Sequence, residues 1–75
     1  MKNISMSADI NLSDQELECL IWAASGKSVW ETSVILSLSE RTVRFHLDQA
    51  RRKLKCTSKI QAVAKAVATG LINIL

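Results

Sequence analysis

Apolar residues recur at helical spacing through most of this chain, and four serine-led segments open the runs. Ser13-Asp14-Gln15-Glu16 and Ser28-Val29-Trp30-Glu31 each place a glutamate three residues after a serine. In that arrangement the hydroxyl accepts the amide of the third helical residue, and the carboxylate reaches back to the serine's own amide. Ser58-Lys59-Ile60-Gln61 repeats the pattern with glutamine, and Ser39 before Glu40-Arg41-Thr42 is a plain N-cap with an acidic first turn. Gly26 and Gly70, the only glycines, fall where the first and last segments end, as suits the left-handed conformation that closes a helix. Together these signals predict an all-α, four-helix domain with helices over 14–25, 29–36, 40–54 and 59–69.

Only Ser37-Leu38-Ser39 separates the second predicted helix from the third. So short a connection makes the two adjacent, the geometry of a helix-turn-helix. Val43, Leu47, Ala50 and Leu54 recur at i, i+4, i+7 and i+11 and predict a buried stripe along the third helix. Its other side carries Arg41, Arg44, Asp48, Arg51 and Arg52. The last helix has a narrow polar stripe of Gln61, Lys65 and Thr69, with Ile60, Ala62, Val63, Ala64, Ala66, Val67 and Ala68 around the rest. That apolar arc is wider than one small core needs, so a second contact is expected on it.

Charge sharpens this picture. Residues 1–39 hold two basic and five acidic side chains, whereas residues 40–55 hold six basic and two acidic ones. Positive charge concentrated on one helix is the footprint of a phosphate-backbone binder, and arginine is the side chain whose fork matches guanine edges and phosphates. At 75 residues the chain is too small for a deep substrate pocket, so binding is favoured over catalysis. Met1 to Asn11 is polar and reads as a frayed tail or linker stub, leaving 12–75 as the domain. No segment is apolar for long enough to span a bilayer or to resemble a targeting signal, so a cytoplasmic protein with no membrane partner is expected.

The motifs in order are Leu12-Ser13, Glu16-x-Glu18-Cys19-Leu20-x-Trp22-x-Ala24-x-Gly26-Lys27, Trp30-Glu31, Ile35-Leu36-x-Leu38-Ser39-Glu40-Arg41-Thr42-Val43-Arg44-Phe45-His46, Arg52-Lys53-Leu54, Gln61-Ala62-Val63-Ala64 and Gly70-Leu71-Ile72. This series, running without a gap over residues 12–72, resembles the LuxR-type DNA-binding domain. The Gly-Lys-x-x-Trp-Glu and Ser-Glu-Arg-Thr-Val-x-Phe-His combinations are most similar to the quorum-sensing branch. Members of that branch usually carry an acyl-homoserine-lactone-binding domain ahead of this one, and none lies within these 75 residues.

The resemblance implies a sequence-specific transcriptional regulator whose third helix enters the major groove of double-stranded DNA. Arg44 would contact a base, with Arg41, Thr42, Phe45 and Asp48 facing the groove or its walls. Lys27, Trp30, Arg52 and Lys53 would contact the backbone, setting register and not sequence. The last helix would form a two-fold homodimer interface through Ile60, Val63, Ala64 and Val67. The alternative is a protein-interaction module that pairs with, and inhibits, a full-length LuxR-type regulator; RNA polymerase is a further partner to consider. For Asp48, an i,i+4 ion pair with Arg44 or Arg52 is expected over base contact, because phosphates repel a carboxylate.

Several positions depart from the family's pattern. Thr32 and Ala50 stand where isoleucine is usual, Ser33 where alanine is, and Gln49 where asparagine is, so a thin core is expected. In the first helix, periodicity selects Leu17, Leu20, Ile21 and Ala24 for burial. The resemblance instead selects Cys19, Leu20 and Ala23, so Leu17 and Ile21 are expected to form an exposed pair. His46, the only histidine, is read as a hydrogen-bonded core residue. It and the two cysteines, Cys19 and Cys56, have no metal-ligand or nucleophile spacing, so neither enzyme chemistry, a metal nor a cofactor is expected.

Overall fold

The computed structural model describes residues 11–73, so all of the expected N-terminal tail but Asn11 lies outside the described residues. Four helices follow in order: α1 (Asp14–Ala24), α2 (Val29–Leu36), α3 (Glu40–Lys53) and α4 (Lys59–Ala68). Each begins where its serine predicts. Ser13 and Ser28 close complete capping boxes: Ser13 Oγ accepts the Glu16 N–H at 3.1 Å while Glu16 Oε1 accepts the Ser13 N–H at 3.0 Å, and Ser28 and Glu31 do the same at 3.0 and 2.8 Å. Ser39 and Ser58 cap α3 and α4 in turn. At α4, however, the Gln61 side chain does not return to Ser58; it accepts the Thr57 N–H and hydroxyl, both at 2.9 Å.

Gly26 and Gly70 take φ values of +90° and +78°, as expected. Two other residues do so without a glycine's freedom: Ser37 (φ 57°) in the α2–α3 turn and Lys55 (φ 59°) just after α3. The Ser37 conformation lets the Leu38 N–H donate back to Ser33 O at 2.9 Å, which closes α2 and turns the chain directly into α3.

Helices α1 and α3 are the centre of the domain. Each packs against the other and against both α2 and α4, while α2 and α4 do not meet. The predicted stripe Val43, Leu47, Ala50 and Leu54 is buried, joined by Cys19 and Leu20 from α1, Ala62 and Ala66 from α4, and Ile72. Leu17 and Ile21 are not the exposed pair expected. Both are half-buried and pack on this cluster, as does Ala23, so α1 buries the union of the two stripes. Thr32 and Ser33 are buried as the crossing requires, and each is satisfied by its own helix. Thr32 Oγ1 donates to Ser28 O at 2.9 Å and Ser33 Oγ to Trp30 O at 2.6 Å, which removes the cost of an unpaired hydroxyl but supplies less apolar contact than isoleucine or alanine.

Candidate nucleic-acid interface

At about 100° per residue, Arg41, Arg44, Phe45, Asp48 and Arg52 fall on one arc of α3, opposite the buried stripe. Arg41, Arg44, Phe45 and Arg52 are exposed and Asp48 is half-buried; Phe45, at 57% exposure, is a large apolar ring turned to solvent. Its ring meets His46 edge to face, centroids 5.7 Å apart. His46 itself is only half-buried, and its Nδ1, expected to be hydrogen-bonded, is buried with no partner among the described residues. Thr42 is half-buried beside the N-cap, where its hydroxyl accepts from Ser39 Oγ at 2.9 Å and its N–H donates to the same atom at 3.0 Å.

The guanidinium row is not a bare line of charge. Arg44 Nη2 lies 3.1 Å from Glu40 Oε1, one turn back. Asp48 therefore does not pair with Arg44; it holds Arg51 and Arg52, with Arg51 Nη2 at 2.7 Å from Oδ1 and Arg52 Nε at 3.1 Å from Oδ2. The helix rise explains the choice, because Glu40 is already within reach of Arg44 and two cations follow Asp48 at i+3 and i+4. Hydrogen bonding from Arg51, together with the charges of Arg51 and Arg52, holds the Asp48 carboxyl below the usual carboxylate range against its partial burial.

Lys53 lies on the flank of α3, away from the exposed arc. Its ammonium donates to Glu16 Oε1 at 2.8 Å and to Asn11 O at 3.3 Å, and so ties the last turn of α3 to the first turn of α1. Glu16 is only 5% exposed. Burial alone would raise its pKa, but the Lys53 ammonium, the Ser13 N–H and the charge of His46 outweigh burial and hold it below the ordinary value. Lys27, in the α1–α2 connection, is exposed, as is Trp30 in the first turn of α2 at 61%. Sequence patterning did not single out Val34 and Ile35, which are exposed on α2 beside Trp30. In an eight-residue helix rich in apolar residues, periodicity offers no contrast from which to choose the outward face.

Helix α4 divides into two apolar faces. Ala62 and Ala66 enter the core, and Val63 and Val67 are half-buried at its edge. Ile60, at 79% exposure, and Ala64 continue that surface into solvent. Ala64 lies one turn from Ile60 on this exposed row. Lys65 leaves the stripe: half-buried, it donates to Leu54 O at 2.9 Å and satisfies a carbonyl at the C-terminal end of α3.

Among the described residues no group of three His, Cys, Asp or Glu side chains is placed to hold a metal ion, and no helix is long and apolar enough to cross a membrane. Burial, with the charges of Glu18 and Glu16, pushes the Cys19 thiol up to about 11, so it stays protonated and unreactive at neutral pH.

Comparison with known proteins agrees with this geometry. The model of the GerE family, bacterial regulatory proteins of the luxR family, matches residues 10–66. The transcriptional activator LuxR of Aliivibrio fischeri is 50% identical over 66 residues, covering 88% of this chain and 26% of that protein. The quorum sensing-dependent regulator RpaR of Rhodopseudomonas palustris is 54% identical over 63 residues, covering 84% and 26%. The crystal structure of Escherichia coli SdiA superposes with a TM-score of 0.84 at 42% identity, over 96% of this chain and 30% of that one. The chain thus spans about a quarter of the length of the curated relatives it matches. Four capped helices, a three-residue turn into a basic third helix and a match running from the first helix into the last place this chain in the luxR family of bacterial transcriptional regulators.

Proposed function

We propose that α3 reads the major groove of double-stranded DNA, with Arg44 contacting a base edge, Arg41, Thr42 and Phe45 lining the groove, and Lys27, Trp30 and Arg52 touching the backbone. One observation carries this reading: the exposed arc of α3 collects three arginines and a phenylalanine opposite the stripe that docks it on the core. On binding, Arg44 exchanges Glu40 for a base. The Glu40 pair is exposed and of little net worth, so the exchange is cheap where a guanine replaces the carboxylate and unrewarded where none does. Lys53 can offer a phosphate only what its two protein partners leave, one N–H on a side chain 40% exposed.

A homodimer through Ile60, Val63, Ala64 and Val67 would place two such helices on half-sites about 34 Å apart, one turn of DNA. The exposed half of the α4 surface supports it, since Ala64 lets two helices approach closely and Ile60 fills the contact. The same face would serve pairing with a longer luxR-type regulator, but a chain that only sequestered a partner would need no exposed arginine arc. Selection from a random duplex library across a salt series tests the reading. A single enriched pseudo-palindrome, bound with a steep salt dependence, is expected; retention with no enriched sequence would refute base reading by α3.

A further inference from the structure

We propose that Asp48 is a positioning residue that acts on DNA through Arg52, orienting its guanidinium toward a phosphate and reading no base itself. This rests on the DNA-binding reading above and assigns a task to a carboxylate that otherwise sits awkwardly on a phosphate-facing helix.

The geometry is a clamp. Asp48 Oδ1 accepts two N–H groups from Arg51, Nη2 at 2.7 Å and Nε at 3.1 Å. Arg51 is itself anchored at its far end, where Nη1 donates to Cys56 O at 3.0 Å, and its side chain is only 26% exposed. The carboxylate is therefore held from behind by a fixed cation. Its other oxygen, Oδ2, forms an ion pair with Arg52, whose Nε lies 3.1 Å away. Because the contact is through Nε, both terminal amino groups of Arg52 remain free on a side chain 65% exposed. Two acceptor sites of the carboxylate are filled by Arg51 and its other oxygen is paired with the Arg52 cation, which leaves little for a cytosine amino group. Two arginines and one aspartate still sum to a positive patch, so the group attracts a phosphate while its fork is already aimed. A free arginine must give up rotamer freedom on binding; this one has given up much of it beforehand.

The test measures equilibrium binding of the full chain to its selected duplex and to random duplex, across a salt series, for wild type, Asp48→Ala, Arg52→Ala and the double variant. Asp48→Ala is expected to weaken both duplexes by about threefold to tenfold, the worth of one pre-ordered side chain, with base preference unchanged at every position. In the Arg52→Ala background the same substitution is expected to change nothing. In the free protein, the Arg52 Nε–H resonance should be resolved and shifted in wild type and should lose that shift in Asp48→Ala, which reads the clamp without DNA. Loss of preference at one C·G pair would make Asp48 a base reader and overturn the proposal. Tighter binding of all duplexes would make it only a repulsive charge, and an equal effect without Arg52 would remove the stated route; either overturns it too. Wild-type chain that binds no duplex at any salt overturns the DNA reading itself, an outcome distinct from these because the Arg52 resonance still reports the clamp.

Discussion

Glu16 and Lys53, thirty-seven positions apart, meet at 2.8 Å and join the N-terminal cap of α1 to the C-terminal turn of α3. The two ends of this pair are unequally exposed: the carboxylate is buried, whereas the ammonium keeps part of its surface in water. Removing either partner therefore has a different consequence. Without Glu16, Lys53 swings into solvent; without Lys53, a buried charge is left on Ser13 alone.

Lys53→Met is expected to destabilise the domain by about 2–3 kcal/mol and Glu16→Gln by about 1 kcal/mol, with the double variant costing less than the sum. Urea unfolding followed by circular dichroism measures all three. Equal costs would show that the carboxylate is not effectively buried. The same experiment must precede any DNA-binding assay of a Lys53 variant, since unfolding imitates loss of a backbone contact.

Acid should weaken the fold through the same group. The folded pKa of Glu16 lies below its unfolded value, so its contribution is fully present above the unfolded pKa, near 4.5, and is lost as the pH falls through the folded one. Stability of wild type should fall as pH drops below that point, and Glu16→Gln should flatten that part of the curve. A slope unchanged in Glu16→Gln would assign the acid sensitivity to other carboxylates, of which Asp48 and Glu31 also titrate low.

For the third helix, Arg44→Ala is expected to cost about 1–3 kcal/mol against the selected site and to flatten preference at the base pair it meets. Arg52→Ala should instead weaken selected and random duplexes alike and reduce the salt slope by about one. Binding across a library of single-base operator variants separates the two. An Arg44→Ala protein with its preferences intact would move base reading elsewhere on the arc.

On α4, Ala64→Glu places a charge on the exposed row and should leave thermal unfolding within about 0.5 kcal/mol of wild type while it disrupts pairing. Val67→Glu, at the edge of the core, should lower both stability and pairing. Sedimentation with and without a palindromic duplex is the measurement, because a contact this small is expected to close mainly on DNA, where two linked half-sites raise the effective concentration. If wild type and both variants load a full palindrome one chain at a time, without cooperativity, the dimer is wrong.

Ser37 holds a left-handed conformation that a side chain disfavours by about 1–2 kcal/mol. Ser37→Gly should raise stability by about 0.5–1 kcal/mol, the strain relieved less the freedom added to the unfolded chain. A lowered melting temperature would mean that the hydroxyl carries a contact the turn depends on.

What could be read from the chain alone was local or strongly periodic. Serine caps and their glutamates act within three residues, so all four helix starts were legible, as were the left-handed glycines and the buried stripe of α3. The ordered motifs were enough to identify the family. Partnerships that join distant segments were not legible. Nothing in the spacing of Glu16 and Lys53 places them together, and nothing local sends Lys65 to the end of α3 or turns Val34 and Ile35 outward. Within α3, five cations and two acids offered several pairings, and rotamer geometry settled Arg44 on Glu40 and Asp48 on Arg51 and Arg52. Helix starts and stripes depend on the backbone's own hydrogen bonds and period, which the sequence determines by itself. Which charged group meets which, and which apolar face stays in water, depends on how the helices pack, and only the tertiary structure decides that.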